Sequence, residues 1–72
     1  MITEKELWKY HGKKVKITTL EGKTFIGFAA YFTSIADSEE ENEASITIER
    51  DFNENVLIEF TQSEIETILT ID

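Results

Sequence analysis

Apolar and polar residues alternate with a period of two over much of this chain, a pattern typical of β-strands with one buried face. In the first such run, residues 15–20, Val15 and Ile17 alternate with lysine and threonine. A Glu21-Gly22 turn separates this run from a second one, residues 25–32. Two strand-like runs that flank a short turn containing glycine predict a β-hairpin.

The second run differs from the first because it is apolar on both of its faces. Each face must therefore be covered, either by the sheet curling over itself or by a neighbouring subunit. Gly27 lies in the middle of this run, where a glycine marks a sharp bend or the close approach of another backbone. The hairpin therefore predicts a small, strongly bent β-sheet.

Three more strands follow, separated by polar turns. Residues 37–43 contain five acidic residues and no apolar one, which indicates a solvated turn. The alternating apolar positions beyond this turn predict three strands, at residues 44–52, 56–61 and 65–71, with turns at residues 53–55 and 62–64.

The N-terminal segment predicts a short helix over residues 4–11. Thr3 and Glu6 have the spacing of a capping box, and a glycine follows the segment as a C-terminal stop. A helix of about two turns is not stable alone, so we expect it to dock on the sheet through Leu7 and Trp8.

One short helix and five strands in 72 residues predict a single domain, 1–72, with the N-terminal helix at residues 1–12 and a barrel at residues 13–72. The strands are too short for a sandwich, and no helical crossover is present for a parallel sheet. The predicted fold is mainly β: a short N-terminal helix followed by a bent five-stranded antiparallel SH3-like barrel. A chain of this size buries only about 60% of its unfolded-state surface, so oligomerisation is an expected source of stability.

The fourth and fifth strands carry apolar residues in both phases, more than the interior of one small barrel holds. An apolar strand edge left open is an aggregation hazard, which pairing with a neighbouring copy removes. We therefore expect a homo-oligomer formed by strand-edge pairing, with an interface at Leu57, Glu59, Ile68 and Leu69.

The net charge is −8, and it is unevenly distributed. Residues 1–25 contain six lysines and three glutamates, a net of +3, whereas residues 26–72 contain one arginine and twelve acidic residues, a net of −11. The acidic balance disfavours RNA at long range, but a lysine-bearing end can meet phosphate locally. RNA binding through a helix face with Lys5, Lys9 and Lys13 is therefore the alternative function.

The composition excludes several kinds of site. The chain has no cysteine, which excludes thiolate metal sites and thiol nucleophiles, and its single histidine, His11, excludes a multi-histidine metal site. At the end of the predicted helix His11 is expected to interact with exposed carbonyl groups rather than to act in catalysis. The acidic run has no spacing that fixes a coordination geometry. We expect no enzyme activity, no metal and no cofactor. No apolar run reaches the ~20 residues of a membrane span and the N-terminus is charged, so we expect a soluble cytoplasmic protein without membrane contact.

Six aromatic residues of the predicted strands are expected to lie mainly in the core, because a barrel this small needs nearly all of its large apolar side chains inside. The alternative is that some of them form an exposed stacking surface. They are Phe25, Phe28, Tyr31, Phe32, Phe52 and Phe60.

The order of elements resembles the Sm-like (LSm) family, as do several residues at its corners. The family's first motif has alternating apolar residues, a turn glycine, an apolar residue three positions on and a second glycine five positions on. Val15, Ile17, Gly22, Phe25 and Gly27 fit that spacing. The second motif, a short paired fourth and fifth strand, matches residues 56–65 in outline. The resemblance covers most of the chain outside the acidic turn. It implies a bent five-stranded barrel, and rings in which the fourth strand of one subunit joins the fifth strand of the next.

The residues that hold RNA in this family are replaced here. The family uses an Asp-x-aromatic-Met-Asn segment after the second strand and an Arg-Gly pair after the fourth. The corresponding positions are Thr33, Ile35, Ala36 and Asp37 in the first case and Thr61 and Gln62 in the second. Both the aromatic residue that stacks on a base and the cation are absent, so the family's uridine pocket is not expected.

The expected function is therefore that of a non-catalytic Sm-like barrel that self-assembles, as a ring, and serves as a binding or scaffold module. The RNA-binding hypothesis above remains the alternative. A third hypothesis, a monomeric SH3-like domain that grips a peptide, requires an exposed aromatic groove.

Overall fold

The computed structural model describes residues 1–38 and 42–71. It has one short helix and five strands: α1 (Glu4–Trp8), β1 (Lys14–Thr19), β2 (Thr24–Thr33), β3 (Ser45–Arg50), β4 (Leu57–Thr61) and β5 (Ile65–Thr70). Two 3₁₀ turns, Ile35–Asp37 and Gln62–Glu64, follow β2 and β4. The predicted mainly β fold, with one short helix and five antiparallel strands, is confirmed.

The strands form one antiparallel sheet in the order β4-β3-β2-β1-β5. Strand β1 lies between β2 and β5, so the C-terminal strand returns to the side of the N-terminal one. In the part of the chain that the structure describes, no ladder joins β4 to β5, and the sheet is not closed. These two strands are therefore the edges of the sheet.

The hydrophobic core lies on one face of this sheet, and α1 contributes Leu7 to it. Partly buried side chains, among them Tyr10, Phe25 and Ile58, pack around its margin. The fully buried apolar residues are Leu7, Val15, Ile17, Ala29, Ala44, Ile46, Ile48, Phe60, Ile65 and Ile68.

The helix begins as predicted and ends earlier. Thr3 is the N-cap, its Oγ1 accepts a hydrogen bond from the Glu6 N–H at 3.1 Å, and the Glu6 carboxylate caps the Thr3 backbone in return. After Trp8 the chain continues in tight turns as far as Gly12, whose φ of +83° suits a glycine. The predicted helix over residues 4–11 is therefore a five-residue helix followed by turns.

Three aromatic side chains that the sequence predicts to lie in the core are exposed, namely those of Trp8, Tyr31 and Phe52. Trp8 is 59% exposed, because its neighbour Leu7 occupies the face of α1 that meets the core, and adjacent helical residues do not share a face. Tyr31 and Phe52 are also exposed, whereas Phe60 is buried and the other strand phenylalanines are partly buried. Strand β3 ends at Arg50, two residues before the predicted strand end at Phe52. Phe52 itself has a φ of +64° and lies outside the strand.

The predicted bend and the predicted close contact occur at different places in β2. The register of β2 against β3 shifts between Ala29 and Tyr31, and this bulge bends the strand. Gly27 lies two residues earlier, opposite Arg50, where the backbone of β3 comes very close. A Cβ atom at residue 27 would overlap the carbonyl oxygen of Glu49.

Replacing Gly27 with alanine should destabilise the fold, because the added methyl group meets backbone rather than a movable side chain. We expect Gly27→Ala to lower the free energy of unfolding by about 1–3 kcal/mol, as overpacking does in other cores. Urea denaturation at one fixed protein concentration measures this. Thr24→Ala, at an exposed position of the same strand, is the matched control and should change the value by less than about 0.5 kcal/mol. Equal stability of both variants would contradict the close approach.

Candidate functional site

The free edge of β4 presents the backbone of two residues. Arg50 N–H donates to the Val56 carbonyl at 2.8 Å, so this is a hydrogen-bonded pair of the β3–β4 ladder. Bonded and non-bonded pairs alternate along an antiparallel ladder. The next residue, Leu57, therefore points its N–H and C=O away from β3, and so does Glu59.

The end of β4 is already satisfied from within the chain. Thr61 also faces the edge by this alternation, but its N–H donates to Oε1 of Glu64 at 2.8 Å. Such an internal partner blunts one end of an exposed edge. Leu57 and Glu59 are the residues of β4 that remain with edge-facing backbone groups.

The same alternation assigns the free backbone groups of β5. Ile71 N–H donates to the Lys14 carbonyl at 2.9 Å, which makes this a bonded pair in continuation of the β1–β5 ladder. Thr70 and Ile68, which lie one and three residues away, therefore point their backbone groups away from β1 and toward the free edge.

The edge-facing residues of the two strands have side chains on opposite faces of the sheet. On β4, Leu57 is 51% exposed and Glu59 is also exposed, both on the outer face. On β5, Ile68 is 6% exposed and lies in the core, whereas Leu69, opposite Lys16 on the outer face, is 57% exposed. Of the four residues predicted at an interface, Ile68 can therefore meet a neighbour only through its backbone.

A cleft runs beside the edge of β4, on the core side of the sheet. It has a volume of about 340 Å³ and lies between β4 and the β1–β2 turn. Its apolar lining includes Leu20, Phe25, Ile58 and Phe60, and the rings of Phe25 and Phe60 are 5.2 Å apart between centroids. We call it the β4 cleft.

A second cleft of about 340 Å³ lies where the end of β5 meets the segment that follows α1. We call it the β5 cleft. It is lined by Glu6, Lys9, Tyr10, Lys13 and Thr70. It is a mixed surface, with two lysines, one carboxylate and an aromatic ring.

The three lysines predicted for nucleic-acid contact do not form one cluster. Lys9 and Lys13 line the β5 cleft together. Lys5 instead lies beside Trp8, Phe32 and Glu4 in a separate depression. All three are exposed, but they offer phosphate a pair of cations rather than a continuous stripe.

Three of the six positions that correspond to the Sm-like RNA pocket have side chains that are hydrogen-bonded within the chain. Asp37 accepts a hydrogen bond from the Ser34 hydroxyl at 3.0 Å, in the 3₁₀ turn after β2. Thr61 is buried and its hydroxyl donates to Glu64 at 2.9 Å. Gln62 is buried as well. These internal bonds leave those side chains little capacity to bind a base.

Gln62 holds together three segments that are distant in the sequence. Its Oε1 accepts a hydrogen bond from the Ala44 N–H at 2.7 Å, and its Nε2 donates to the Ile2 carbonyl at 2.9 Å. The 3₁₀ turn after β4 is thereby tied to the start of β3 and to the N-terminal segment. The sequence contains no signal for this role, because a glutamine in a polar turn is expected to face water.

Residues 1–38 and 42–71 contain neither a cluster of metal-binding side chains nor a membrane-spanning helix. No three His, Cys, Asp or Glu side chains in these ranges come together as a metal site would require. No helix in the same ranges has the length and apolar character needed to span a bilayer. Residues 39–41 of the predicted acidic turn lie outside the described ranges.

Comparison of the chain with protein-family models, with curated proteins and with solved structures finds no match. The Sm-like resemblance therefore stays a prediction. The features available for a functional argument are the two free edges, the exposed leucine on each edge strand and the two clefts.

Replacing Gln62 with alanine should destabilise the protein, because the buried Ala44 N–H loses its acceptor. We expect Gln62→Ala to lower the free energy of unfolding by about 1–3 kcal/mol, the cost of leaving a buried polar group unpaired. Asn55→Ala, in an exposed turn, is the control. Urea titration of both variants tests this, and a Gln62→Ala variant as stable as the control would show that the side chain has no structural role.

Proposed function

We propose that this chain is a non-catalytic Sm-like barrel that joins its β4 edge to the β5 edge of the next copy, forms a ring, and serves as a binding or scaffold module. The observation that carries the proposal is that each of the two free edges belongs to a strand with a solvent-exposed leucine, Leu57 on β4 and Leu69 on β5. Joining the β4 edge to the β5 edge of the next copy would satisfy the free backbone groups of both edges and bring the two leucines to the junction.

The energetics favour association of such a chain. Fully burying an exposed leucine side chain contributes about 1.5–3 kcal/mol. Leu57 and Leu69 are 51% and 57% exposed, so each junction would gain a corresponding part of that value from each of them. The edge-facing backbone groups of Glu59 and Ile68 would add hydrogen bonds worth about 0.5–1.5 kcal/mol each. A small domain has a limited core of its own, so these terms are a large addition to its stability.

The proposed ring is the closed form of an assembly whose two joining edges differ. When an edge of one kind joins an edge of another kind, each added copy leaves one free edge of each kind at the ends of the assembly. Only closure into a ring removes both, and a contact that does not close produces an open filament instead.

A binding or scaffold role is favoured over the other functions considered. The positions that would hold RNA in an Sm-like protein are occupied by Thr61 and Gln62, which are buried, and by Asp37, which carries negative charge. The only histidine, His11, is exposed, with Nε2 3.2 Å from the carbonyl oxygen of Ala30, and has no acidic partner among the hydrogen bonds of the described residues.

Native mass spectrometry of the purified chain at micromolar concentration tests the assembly. We expect one discrete oligomer for the wild type, and a shift toward monomer for Leu57→Asp and for Leu69→Asp, with association weakened roughly 10- to 100-fold per junction. Tyr31→Asp is the matched control, because Tyr31 is equally exposed but lies in the central strand β2. A wild-type chain that is monomeric under these conditions would refute the proposal.

Adding short uridine-rich or adenine-rich RNA to the same experiment tests the alternative function. We expect no RNA in the oligomer at physiological salt. Uptake of RNA that weakens steeply with salt, and that is lost when Lys5, Lys9 and Lys13 are replaced by glutamine, would instead assign the protein to the RNA-binding class.

A further inference from the structure

The pattern of free backbone groups restricts how two copies can join. In an antiparallel pair, residues directly opposite one another are of the same hydrogen-bonding kind and point their side chains to the same side. The edge-facing residues of β4 have outward side chains, as Leu57 does, whereas those of β5 have inward ones, as Ile68 does. Antiparallel pairing of β4 with β5 of another copy therefore makes the outer face of one sheet continuous with the core face of the other. We call such a junction face-crossed.

We propose that the junction between copies is antiparallel and face-crossed, so that Leu69 of one copy enters the β4 cleft of the next, and Leu57 of that copy enters the β5 cleft of the first. This inference rests on the proposed self-assembly, since it specifies how the two edges meet. The partner is a second copy of this chain.

The register follows from the overlap of the free segments. Thr61 is already bonded to Glu64, so residues 57–60 are available on β4. On β5 the regular stretch beyond the register shift at Thr18/Thr19 is residues 67–70, and we pair these two segments. Antiparallel overlap of these two segments places Ile58 opposite Leu69 of the neighbour and Leu57 opposite Thr70 of the neighbour. The hydrogen-bonded pairs are then Leu57 with Thr70 and Glu59 with Ile68, whose backbone groups face the two edges.

The β4 cleft suits the incoming Leu69. Ile58 points to the core side of its sheet, so a side chain opposite it enters the space lined by Phe25 and Phe60. The two rings and Ile58 belong to the apolar part of this lining, whose rim is polar, and the cleft lies next to the free edge of β4. An exposed leucine from a neighbour would therefore extend the core of the copy that receives it.

The β5 cleft suits the other half of the junction. Thr70 lines this cleft, so Leu57 placed opposite Thr70 lies against the ring of Tyr10 and the stems of the cleft lysines. In this register Glu59 comes opposite Ile68 of the neighbour, and its carboxylate accepts a hydrogen bond from the Ser45 hydroxyl of its own copy at 2.8 Å.

The competing ways of joining two copies leave this surface less well covered. A parallel β4–β5 pair keeps the outer faces continuous, so both leucines stay on the outside and both clefts stay empty. Two-fold pairing of β4 with β4 brings the negatively charged Glu59 side chains of the two copies close together. Two-fold pairing of β5 with β5 leaves the β4 cleft open.

Engineered cysteines test the inference without background, since the chain has no cysteine. We would prepare Ile58→Cys and Leu69→Cys separately, refold a 1:1 mixture, oxidise it mildly and measure disulfide-linked dimers on a non-reducing gel. The proposed junction brings these two positions together as a non-hydrogen-bonded pair, whose Cβ separation of about 4.5–5.5 Å is near what a disulfide needs. We expect at least a tenfold greater dimer yield from the mixture than from either variant alone.

Each other outcome overturns a defined part of the account. Dimers from Ile58→Cys alone indicate β4–β4 pairing, and dimers from Leu69→Cys alone indicate β5–β5 pairing. Dimers from Leu57→Cys mixed with Leu69→Cys indicate a parallel junction. Any of these in a discrete oligomer refutes the face-crossed junction while self-assembly stands, whereas a monomeric wild type refutes self-assembly itself.

Ile58 is partly buried, so a second pair at exposed positions guards against a folding defect. Leu57→Cys and Thr70→Cys lie opposite each other in the same register, and both side chains are exposed in the single chain. Joining them with a short bis-maleimide should again require the mixture. Absence of a link in both pairs, in a protein that assembles, would rule out this register and with it the proposed occupancy of the clefts.

Discussion

The constraint on which the rest of this structure depends is the alternation of backbone hydrogen bonds through a sheet with an odd number of strands. Each strand bonds one neighbour through its inward residues and the other neighbour through its outward residues. The four ladders of the order β4-β3-β2-β1-β5 therefore use inward and outward residues in turn. As a result, the free edge of β4 presents the backbone of outward residues, and the free edge of β5 presents the backbone of inward residues. The face-crossed junction is a consequence of this count and of antiparallel pairing.

The core and the edges are parts of one problem for so small a chain. The apolar side chains available for the interior come from α1 and from one face of the sheet, and they leave an opening beside Ile58 and Phe60. The outer face keeps Leu57 and Leu69 in water. In the proposed assembly a neighbouring copy would supply to each opening the type of side chain that is exposed elsewhere on the same molecule, and this self-complementarity is the basis of the proposed function.

The sequence was sufficient to predict the five strands, the capped helix start at Thr3 and the close packing at Gly27, because each depends on local periodicity or on one residue's backbone requirement. It was not sufficient for the exposure of Trp8, which depends on how a five-residue helix is oriented. The burial of Gln62 and the meeting of Lys9 and Lys13 with Thr70 depend on contacts between distant segments. Which residues of β4 and β5 point their backbone groups to the free edges could not be predicted, because it depends on how every pair of neighbouring strands is aligned.

Pairing of the β4 and β5 edges between copies can be tested by amide hydrogen exchange of the edge residues, followed by NMR at high and at low protein concentration. The account predicts that the amides of Leu57, Glu59, Ile68 and Thr70 exchange slowly when the chain is assembled and quickly after dilution to monomer, whereas the turn amide of Glu21 exchanges quickly in both states. Fast exchange at the four edge amides under both conditions would contradict pairing of the edges.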